Sequence, residues 1–325
     1  MPKVSVLVPI YGVEKYIERC ARSLFEQTLD EMEFIFVDDC TPDKSIEILR
    51  SIIEEYRLRF AEKRYTVRIE RMPTNSGLAA VRRHGIHLAT GDYIIHCDSD
   101  DWVDVTMYEK MYNKAIEEGS DVVVCDYCIS DENKSIPKIG CHNDNKWIFY
   151  ENVLKLVDPP SVWNKLFHKS LYQNFIIYPI YPMAEDLVLT PQLLWYCKSI
   201  SYVRCPLYYY YSNFDSMSKI PGETNIIKRF NQSVSNMSLL FNFYQDKELP
   251  NNIKVAFLLA LIHQRDRLLP IIDKNEYYRL WRDTFPQINR ELIINPTIPF
   301  KTKIVYMLVK YKLYPLVNKI RKYFY

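Results

Sequence analysis

The carboxylates best suited to chemistry form the tetrad Asp98-Ser99-Asp100-Asp101, which follows the apolar run 93–97. Carboxylates this close repel one another, and a cation or a set of backbone donors usually compensates them where a strand ends. On an extended chain Asp98 and Asp100 point to the same side. They could share Mg²⁺ or Mn²⁺, or one could bind the metal while the other binds a ribose hydroxyl. The tetrad therefore predicts a metal site at which phosphate binds.

The tetrad also has a second interpretation, as a solvated acidic turn. A helix is predicted to begin near Val105, and Asp101 or Asp104 would then cap its first turn. Taken alone, the tetrad does not decide between a metal site and a capped turn.

A candidate anion site precedes the tetrad in the sequence. Asn75-Ser76-Gly77 places a glycine and small residues at a predicted helix start, and Arg82 follows within that helix. A helix N-terminus stabilises anions, and an arginine pairs with phosphate. The alternative is an ordinary loop-to-helix junction capped by Asn75 or Ser76, which these residues favour when taken alone.

The elements that must position these residues alternate between strand and helix. Apolar runs and period-two patterns predict strands, whereas apolar residues at helical spacing predict helices. The predicted strands are 4–10, 33–38, 65–71, 93–97 and 121–129, and the predicted helices are 14–27, 45–56, 77–88 and 105–118. This alternation implies right-handed crossovers and a mostly parallel sheet in an α/β fold. Three strand ends then lie at the edge of the sheet where such folds bind ligands. They are Pro9-Ile10-Tyr11, Asp38-Asp39 and the tetrad.

The rest of the chain is less regular. Residues 130–160 are polar and read as irregular structure. Further helices are predicted at 224–244, 251–269 and 276–285. We expect a first domain over 1–220, with a donor half at about 1–130 and an acceptor half at about 160–220, and a helical region over 221–325.

The composition argues against several classes of function. The net charge is +2, which gives no indication of nucleic-acid binding. Glycine is scarce, with 7 residues, and no glycine-rich fingerprint follows the first strand, as a nicotinamide dehydrogenase would require. An aspartate-nucleophile phosphohydrolase would need its acidic pair at the end of that strand, where Pro9-Ile10-Tyr11 stand. No apolar stretch approaches the ~20 residues of a membrane span.

The 8 cysteines are scattered and the sequence opens on a strand pattern, so we expect free thiols and a cytoplasmic protein. Cys125 and Cys128, with Cys141 and His142 downstream, could form a zinc site. Because alternation along the predicted strand places Cys125 and Cys128 on opposite faces, ordinary thiols are the preferred interpretation.

Taken together, these segments resemble the family 2 glycosyltransferases, which are nucleotide-sugar enzymes of the A-type (GT-A) fold. The resemblance covers roughly the first 130 residues in order and spacing. It is carried by residues 4–11, 16–17, 37–39, 43, 45, 75–79, 82, 85, 89–93 and 98–101. Gly12 and Arg83 stand where the family often has asparagine, and Cys40 stands where it usually has glycine. These departures concern nucleotide geometry rather than the fold.

The resemblance implies a set of nucleotide-sugar contacts, which are Pro9, Tyr11, Asp39, Asn75, Gly77, Arg82, Asp98 and Ser99. Pro9, Tyr11 and Asp39 would hold the nucleotide base. Asp98 and Asp100 would hold ribose, diphosphate and a divalent cation, Mn²⁺ or Mg²⁺. A uridine diphosphate sugar is the donor that the resemblance favours.

The second half supplies the predicted catalytic base. A sugar hydroxyl is a poor nucleophile until a carboxylate removes its proton. Glu185-Asp186, before the apolar run 187–189, resembles the family's acidic pair. We predict Asp186 as the base and Glu185 as an acceptor or positioning contact. The alternative is a helix N-terminus at which acidic residues are favoured by the helix dipole.

Two further segments of the second half resemble the family. Residues 163–167 resemble a segment that precedes the acceptor site, and the tyrosine run 208–211, with 216–218 after it, resembles a segment near the donor diphosphate. The tyrosines are equally consistent with an ordinary strand, because tyrosine has a high β-propensity.

The tail 299–325 combines apolar residues with seven lysines and arginines. That composition is typical of helices lying on an anionic membrane surface, and the alternative is a helical hairpin packed on the body. We expect membrane contact through 300–325, and therefore a peripheral position on the cytoplasmic face.

The resulting hypothesis is an inverting, metal-dependent glycosyltransferase, in which inversion is implied by the resemblance. The acceptor would be a saccharide or a lipid-linked saccharide in surface polysaccharide synthesis. The alternative is a non-catalytic nucleotide-sugar-binding or scaffold protein that has kept the fold, although intact Asp98, Asp100 and Asp186 argue against it. The sequence does not indicate which sugar moves, which acceptor receives it or the oligomeric state.

Overall fold

The first part of the chain alternates between strand and helix as the sequence predicts. A computed structural model describes residues 1–131, 133–212 and 221–317. The first elements are β1 (Val4–Ile10), α1 (Ile17–Phe25), β2 (Met32–Asp38), α2 (Ser45–Glu55), α3 (Arg57–Lys63), β3 (Thr66–Arg71), α4 (Leu78–Leu88), β4 (Tyr93–His96), β5 (Trp102–Val103), α5 (Met107–Glu118) and β6 (Val122–Ser130). The sequence pattern did not indicate α3 or the two-residue strand β5.

Residues 130–160 are more regular than predicted. They contain the exposed strand β7 (Ser135–Lys138), which pairs with β6, and the helix α6 (Lys146–Leu154). The Asn145 side chain caps α6 by accepting a hydrogen bond from the Trp147 amide at 2.9 Å. The prediction of irregular structure was wrong here because burial of Phe149, Tyr150 and their neighbours stabilises a helix whose intrinsic propensity is low.

The remaining strands make the sheet mixed. They are β8 (Lys165–His168) and β9 (Ile200–Tyr211), separated by a 3₁₀ turn at Lys169–Gln173 and by α7 (Glu185–Tyr196). Among the described residues, nine strands form one sheet in the order β3-β2-β1-β4-β8-β6-β9-β5, with β7 beside β6. Strands β1 to β4 pair in parallel, and β8 lies antiparallel between β4 and β6. The predicted α/β class is confirmed.

Helices follow the sheet, as predicted for the C-terminal region. They are α8 (Glu223–Tyr244), α9 (Asn251–Arg265), α10 (Asn275–Asp283), α11 (Ile288–Ile294) and α12 (Phe300–Lys310), with a 3₁₀ turn at Asp266–Ile271. The predicted boundary at residue 220 lies outside the described residues. The apolar core nevertheless runs without a break from Leu7 in the sheet to Met237, Trp281 and Val309 in these helices.

Both faces of the sheet are covered. Along β1, Val4, Val6 and Val8 pack into one buried cluster with α1 and α5, whereas Leu7 packs into the other cluster with α4 and α7. Successive side chains of a strand point to opposite faces, so a strand covered on both faces is apolar throughout.

A buried hydrogen-bond network holds the start of β4 against β1 and β2. The Glu33 carboxylate accepts from Ser5 Oγ at 2.6 Å and from Thr90 N at 2.8 Å, and Ser5 Oγ accepts from Gly91 N at 2.9 Å. A Cβ on Gly91 would lie 2.8 Å from the Ser5 backbone nitrogen, so only glycine fits. The segment Ala89–Tyr93 therefore matches the family pattern for a packing reason.

The parallel register brings the predicted site to one edge. Asp39 N donates to Ile10 O at 3.0 Å, and Cys97 N donates to Leu7 O at 2.9 Å. The ends of β2 and β4 therefore flank the end of β1, as the sequence predicts. This edge holds the candidate active site.

Candidate active site

Most of the predicted donor residues line one cleft of about 600 Å³ at the carboxyl ends of β1, β2 and β4. The predicted residues in its wall are Pro9, Tyr11, Asp39, Asn75, Gly77, Asp98, Ser99 and Asp100. Tyr210, from the tyrosine run 208–211, also lines the cleft, as does Pro182, which the sequence did not indicate. A cleft of this size has the volume of a typical small-ligand site.

Asp39 shapes one wall of the cleft. Its two carboxylate oxygens accept hydrogen bonds from the amides of Ser76, at 2.6 Å, and Gly77, at 2.8 Å. Gly77 has φ +82°, in the region that favours glycine, and α4 begins at the next residue. Asp39 thus holds the loop at the start of α4, and it also lines the cleft in which the nucleotide is predicted to bind.

Arg82 joins the donor side to the predicted catalytic pair. Its Nη2 donates to Asp98 Oδ1 at 2.7 Å, its Nε lies 3.0 Å from Glu185 Oε1, and its Nη1 lies 3.6 Å from Asp186 Oδ1. The side chain is 3% exposed. Arg82 itself does not line the cleft, so its connection to the cleft runs through Asp98, which does.

Burial perturbs the groups of this cluster. It would lower the pKa of Arg82, but Asp98, Glu185 and Asp186 raise that pKa above its usual value. Burial raises the pKa of Glu185 well above its usual value against the opposing charge of Arg82. Burial likewise raises the pKa of Asp98 to about 6, with Arg82 opposing and Asp100 adding to the shift.

The two predicted catalytic residues differ in exposure. Glu185 and Asp186 are the first residues of α7, and their side chains are 5% and 25% exposed. Glu185 Oε2 is buried without a hydrogen-bond partner. Asp186 Oδ1 is likewise buried without a hydrogen-bond partner among the described residues, so the two residues differ in overall exposure rather than in this respect.

Asp101 does not cap the following helix. It is fully buried, and its carboxylate accepts from Tyr208 Oη at 2.6 Å and from Tyr211 N at 2.7 Å. Asp104 is the residue that binds the helix start, because its Oδ1 accepts from Thr106 N at 2.9 Å. The cap prediction was wrong for Asp101, because β9 passes close enough to satisfy its carboxylate.

Tyr208 supports the tetrad from β9. Its hydroxyl donates to Asp101 and accepts from the Asp98 amide at 3.1 Å. Its ring stacks on Trp163 with 4.3 Å between centroids, and Trp163 also stacks on Tyr210, which lines the cleft. The tyrosine run is therefore divided between a structural residue and a cleft residue. Residues 216–218 lie outside the described residues.

Arg19 is a further support that sequence reasoning missed. Its Nη2 donates to the Asp100 carbonyl at 2.8 Å, and its guanidinium lies 3.8 Å from the Trp102 ring centroid and 4.7 Å from that of Tyr211. No sequence signal marks it, because Asp100 is 81 residues away in the chain.

The acidic pair of the tetrad fits a divalent cation together with a diphosphate. In the part of the chain that the structure describes, no group of three or more histidines, cysteines or acidic residues forms a metal site. Mg²⁺ needs less in a nucleotide site, because it takes one or two carboxylates plus phosphate oxygens. Asp98 and Asp100 line the cleft and supply hard oxygen ligands of that kind.

Of the four residues of the alternative zinc site, Cys125, Cys141 and His142 line one small cavity, whereas Cys128 does not. Cys125 and Cys128 are buried and Cys141 is exposed, and all are free thiols. His142 Nε2 instead lies 2.7 Å from Asp126 Oδ1.

The C-terminal tail partly packs on the body. In α12, Tyr306 and Val309 are buried, while Phe300, Ile304 and Met307 are 78%, 42% and 41% exposed. Residues 318–325 of the predicted tail lie outside the described residues. Among the residues that the structure describes, no helix has the length and apolar character to span a membrane.

The fold and cleft define the GT-A class of nucleotide-sugar folds. The model of the glycosyl transferase family 2 matches residues 5–177. This chain belongs to that family, which confirms the resemblance. It is 32% identical over 228 residues to EpsH of Bacillus subtilis, a match that covers 66% of this chain and 62% of EpsH.

One further relative and one solved structure extend the comparison. The poly(ribitol-phosphate) beta-glucosyltransferase of Bacillus spizizenii is 31% identical over 233 residues, or 68% of this chain and 34% of that protein. The chain thus spans less than two thirds of these relatives. Residues 1–349 of S. aureus TarS, crystallised with UDP-GlcNAc, superpose with a TM-score of 0.70 at 18% identity, over 96% of this chain and 88% of that one.

Proposed function

We propose that this chain is an inverting glycosyltransferase that moves a sugar from a UDP sugar to a hydroxyl of a saccharide or lipid-linked saccharide acceptor. The observation that carries the proposal is the Arg82 cluster, which joins Asp98 of the donor cleft to Glu185 and Asp186. A scaffold that had lost catalysis would have no need to keep a base beside the donor site. A role in surface polysaccharide synthesis is supported by the poly(ribitol-phosphate) beta-glucosyltransferase activity named for the Bacillus spizizenii relative.

The donor occupies the cleft in this proposal. Pro9, Tyr11 and Asp39 contact the base, while Asn75, Gly77 and Ser99 contact the rest of the nucleotide sugar. The UDP-GlcNAc complex of TarS supports a uridine nucleotide. Asp98 binds ribose or diphosphate from the side opposite its bond to Arg82.

The transfer step needs one base and one leaving group. Asp186 accepts the proton of the acceptor hydroxyl as that oxygen forms its bond to the anomeric carbon. The bond from this carbon to the diphosphate oxygen breaks, and its electron pair leaves with the nucleoside diphosphate. Attack from the face opposite the leaving group inverts the anomeric centre. Arg82 holds the position of Asp186 throughout.

Asp100 and Asp98 would hold Mn²⁺ or Mg²⁺ together with the diphosphate. A bound divalent cation offsets the negative charge that develops on the departing diphosphate.

Calorimetric titration with UDP, UDP-GlcNAc, UDP-glucose, UDP-galactose and GDP-mannose, with and without Mn²⁺, tests the donor site. We expect binding of a uridine nucleotide that strengthens with Mn²⁺ and is lost with EDTA. No metal-dependent binding by any of these nucleotides would overturn the enzyme proposal. Binding without UDP release in the presence of saccharide and lipid-linked acceptors would support a scaffold instead.

We also propose that the tail contacts an anionic membrane surface. The exposed apolar residues Phe300, Ile304 and Met307 lie on α12 together with Lys301 and Lys310, which are exposed as well. An amphipathic helix with basic flanks binds such surfaces by burying its apolar side chains and by the attraction of its basic side chains to anionic lipids. A peripheral position would bring the cleft to a lipid-linked acceptor.

A further inference from the structure

The segment that leads into the predicted catalytic pair is held by a single side chain of α8. Asn236 is fully buried. Its Oδ1 accepts from Ile180 N at 3.0 Å and from Tyr181 N at 3.2 Å. Its Nδ2 donates to Tyr181 O at 2.7 Å and to Met183 O at 2.8 Å. An amide side chain has two donors and two acceptor sites, and all of them are used here.

The segment that Asn236 holds ends at the active site. Pro182, inside the segment, lines the donor cleft. Met183 is followed by Ala184, which has φ 60°, and then by Glu185 and Asp186 at the start of α7. A left-handed conformation is unfavourable for alanine and persists only where the surroundings enforce it. A fixed Met183 carbonyl is therefore required to present the two carboxylates as the structure shows them.

We call the four hydrogen bonds of Asn236 to residues 180–183 the clamp, and the helix that carries Asn236 is itself firmly packed. Met237 and Leu240, on the same helix as Asn236, are fully buried in the core that α8 shares with α7. At the other end of the segment, Gln192 of α7 accepts from Ile177 N and donates to Ile177 O, both at 2.8 Å. Residues 177–183 are thus fixed at both ends, by one amide on each helix.

We propose that Asn236 is a positioning residue for glycosyl transfer, acting through the backbone of residues 180–183 on Asp186 and Pro182. This inference rests on the proposed function of Asp186 as the base. Asn236 touches neither donor nor acceptor. It links the C-terminal helices to the chemistry, which the sheet alone does not complete.

The test compares Asn236→Ala with Ser233→Ala. Ser233 is a matched control because it is also fully buried on α8, and its hydroxyl has no hydrogen-bond partner. We expect Asn236→Ala to lower kcat about 10- to 100-fold, as misplacement of a reacting group does. The Kd for UDP should change much less than kcat, because Pro182 is the one residue of 180–183 that lines the donor cleft. Ser233→Ala should retain the wild-type kcat.

Hydrogen exchange gives a readout that does not depend on activity. The amides of Ile180 and Tyr181 should exchange faster in Asn236→Ala than in Ser233→Ala, while exchange in the strands β1, β2 and β4 stays slow. If Asn236→Ala does not fold, Asn236→Asp keeps the shape of the side chain but loses both donors, and the same comparison applies.

The outcomes separate the two proposals. Unchanged exchange at Ile180 and Tyr181 would overturn the clamp. Faster exchange with a kcat equal to that of Ser233→Ala would overturn the positioning role. If the wild type transfers no sugar, the proposed function fails, and the catalytic role of Asn236 fails with it, whereas the exchange data still decide whether the clamp exists.

Discussion

Arg82 Nη2 and Asp98 Oδ1 are 2.7 Å apart, and this bond ties the middle of α4 to the end of β4. The same guanidinium lies 3.0 Å from Glu185, at the start of α7. One buried cation is therefore common to Asp98, which lines the donor cleft, and to the predicted catalytic pair at the start of α7. A change in the charge of Asp98 therefore alters the electrostatic energy of Glu185, and the reverse, because the groups interact over a short distance at low dielectric.

Replacement of Arg82 by methionine should remove this common cation. Three carboxylates then lose their counter-charge in a buried site, so we expect the free energy of unfolding to fall by about 3–5 kcal/mol. Urea denaturation measures the change. Arg83→Met is the control, because Arg83 is the exposed neighbour on the same helix. Equal stabilities for the two variants would contradict a structural role for the cluster.

Asp186→Asn should separate binding from chemistry. The amide keeps the shape of the side chain but cannot take a proton, so kcat should fall by about 10²- to 10⁴-fold. UDP affinity, measured by calorimetry, should stay within a few-fold of the wild-type value. Glu223→Gln removes an acidic residue from the first turn of α8 and controls for the loss of a helix-dipole interaction. Wild-type turnover in Asp186→Asn would remove Asp186 from the role of base.

Tyr208→Phe should lower both the stability of the protein and its affinity for UDP, because Tyr208 supports the tetrad from β9. The change removes the hydroxyl that binds both Asp101 and the Asp98 amide, and it leaves a buried carboxylate with one partner fewer. We expect a loss of about 1–3 kcal/mol in the free energy of unfolding and a weaker, still Mn²⁺-dependent binding of UDP. Tyr209→Phe is the control, since Tyr209 packs on Trp102 without these bonds. Identical behaviour of the two variants would exclude a support role for Tyr208.

Lys165 should make stability depend on pH in the alkaline range. Burial lowers the pKa of Lys165 to about 7, although its Nζ donates to Pro159 O, Ser161 O and Asn164 Oδ1. An unfolded lysine titrates at about 10.4, so between these values the unfolded chain binds a proton that the folded chain does not. The folded-state pKa is lowered, and stability therefore falls as the pH drops through this window.

The measurement is the free energy of unfolding of the wild type minus that of Lys165→Met. This difference should rise with pH between about 7 and 10, by at most about 1.4 kcal/mol per pH unit. Other titrating groups cancel in the difference. A difference that stays constant over this range would show that Lys165 remains protonated in the folded protein.

Vesicles test the tail. Replacing Phe300, Ile304 and Met307 together by serine should lower the partition of the protein onto phosphatidylserine-containing vesicles by about tenfold, because the apolar contact area is lost. Val157→Ser is the control, since Val157 is an apolar residue that is 66% exposed elsewhere. Equal sedimentation of both variants with vesicles would leave α12 as a helix that only packs on the body.

The strands and helices of the donor half follow from local periodicity. β1, β2 and β4 were predictable as short apolar runs and β3 as an alternating one, whereas α1, α2, α4 and α5 each present an apolar face at helical spacing. Residues 130–160 were not, because the first turn of α6 contains Trp147-Ile148-Phe149-Tyr150, a run of weak helix formers that only tertiary packing makes helical. β5 has two residues and is defined by its partner β9 alone.

The candidate site shows the same division between local and distant causes. Asp39, Asp98 and Asp100 end strands, so their place at one edge follows from the α/β topology. The role of Asp101 did not follow, because its partner Tyr208 is 107 residues away. Asn236 could not be singled out either, since a buried asparagine within a helix has no sequence pattern that names its partner loop.

The clamp of Asn236 on residues 180–183 has a consequence for how the parts of this family can be recombined. A chimaera that exchanged only the helices after residue 221 would place a foreign α8 against a native loop, which would lose its four hydrogen bonds wherever that helix has no asparagine at position 236. The loop and α8 must therefore be inherited as a pair, although they are 53 to 56 residues apart in the chain. An exchange of the C-terminal helices between members of the family has to carry both segments across together.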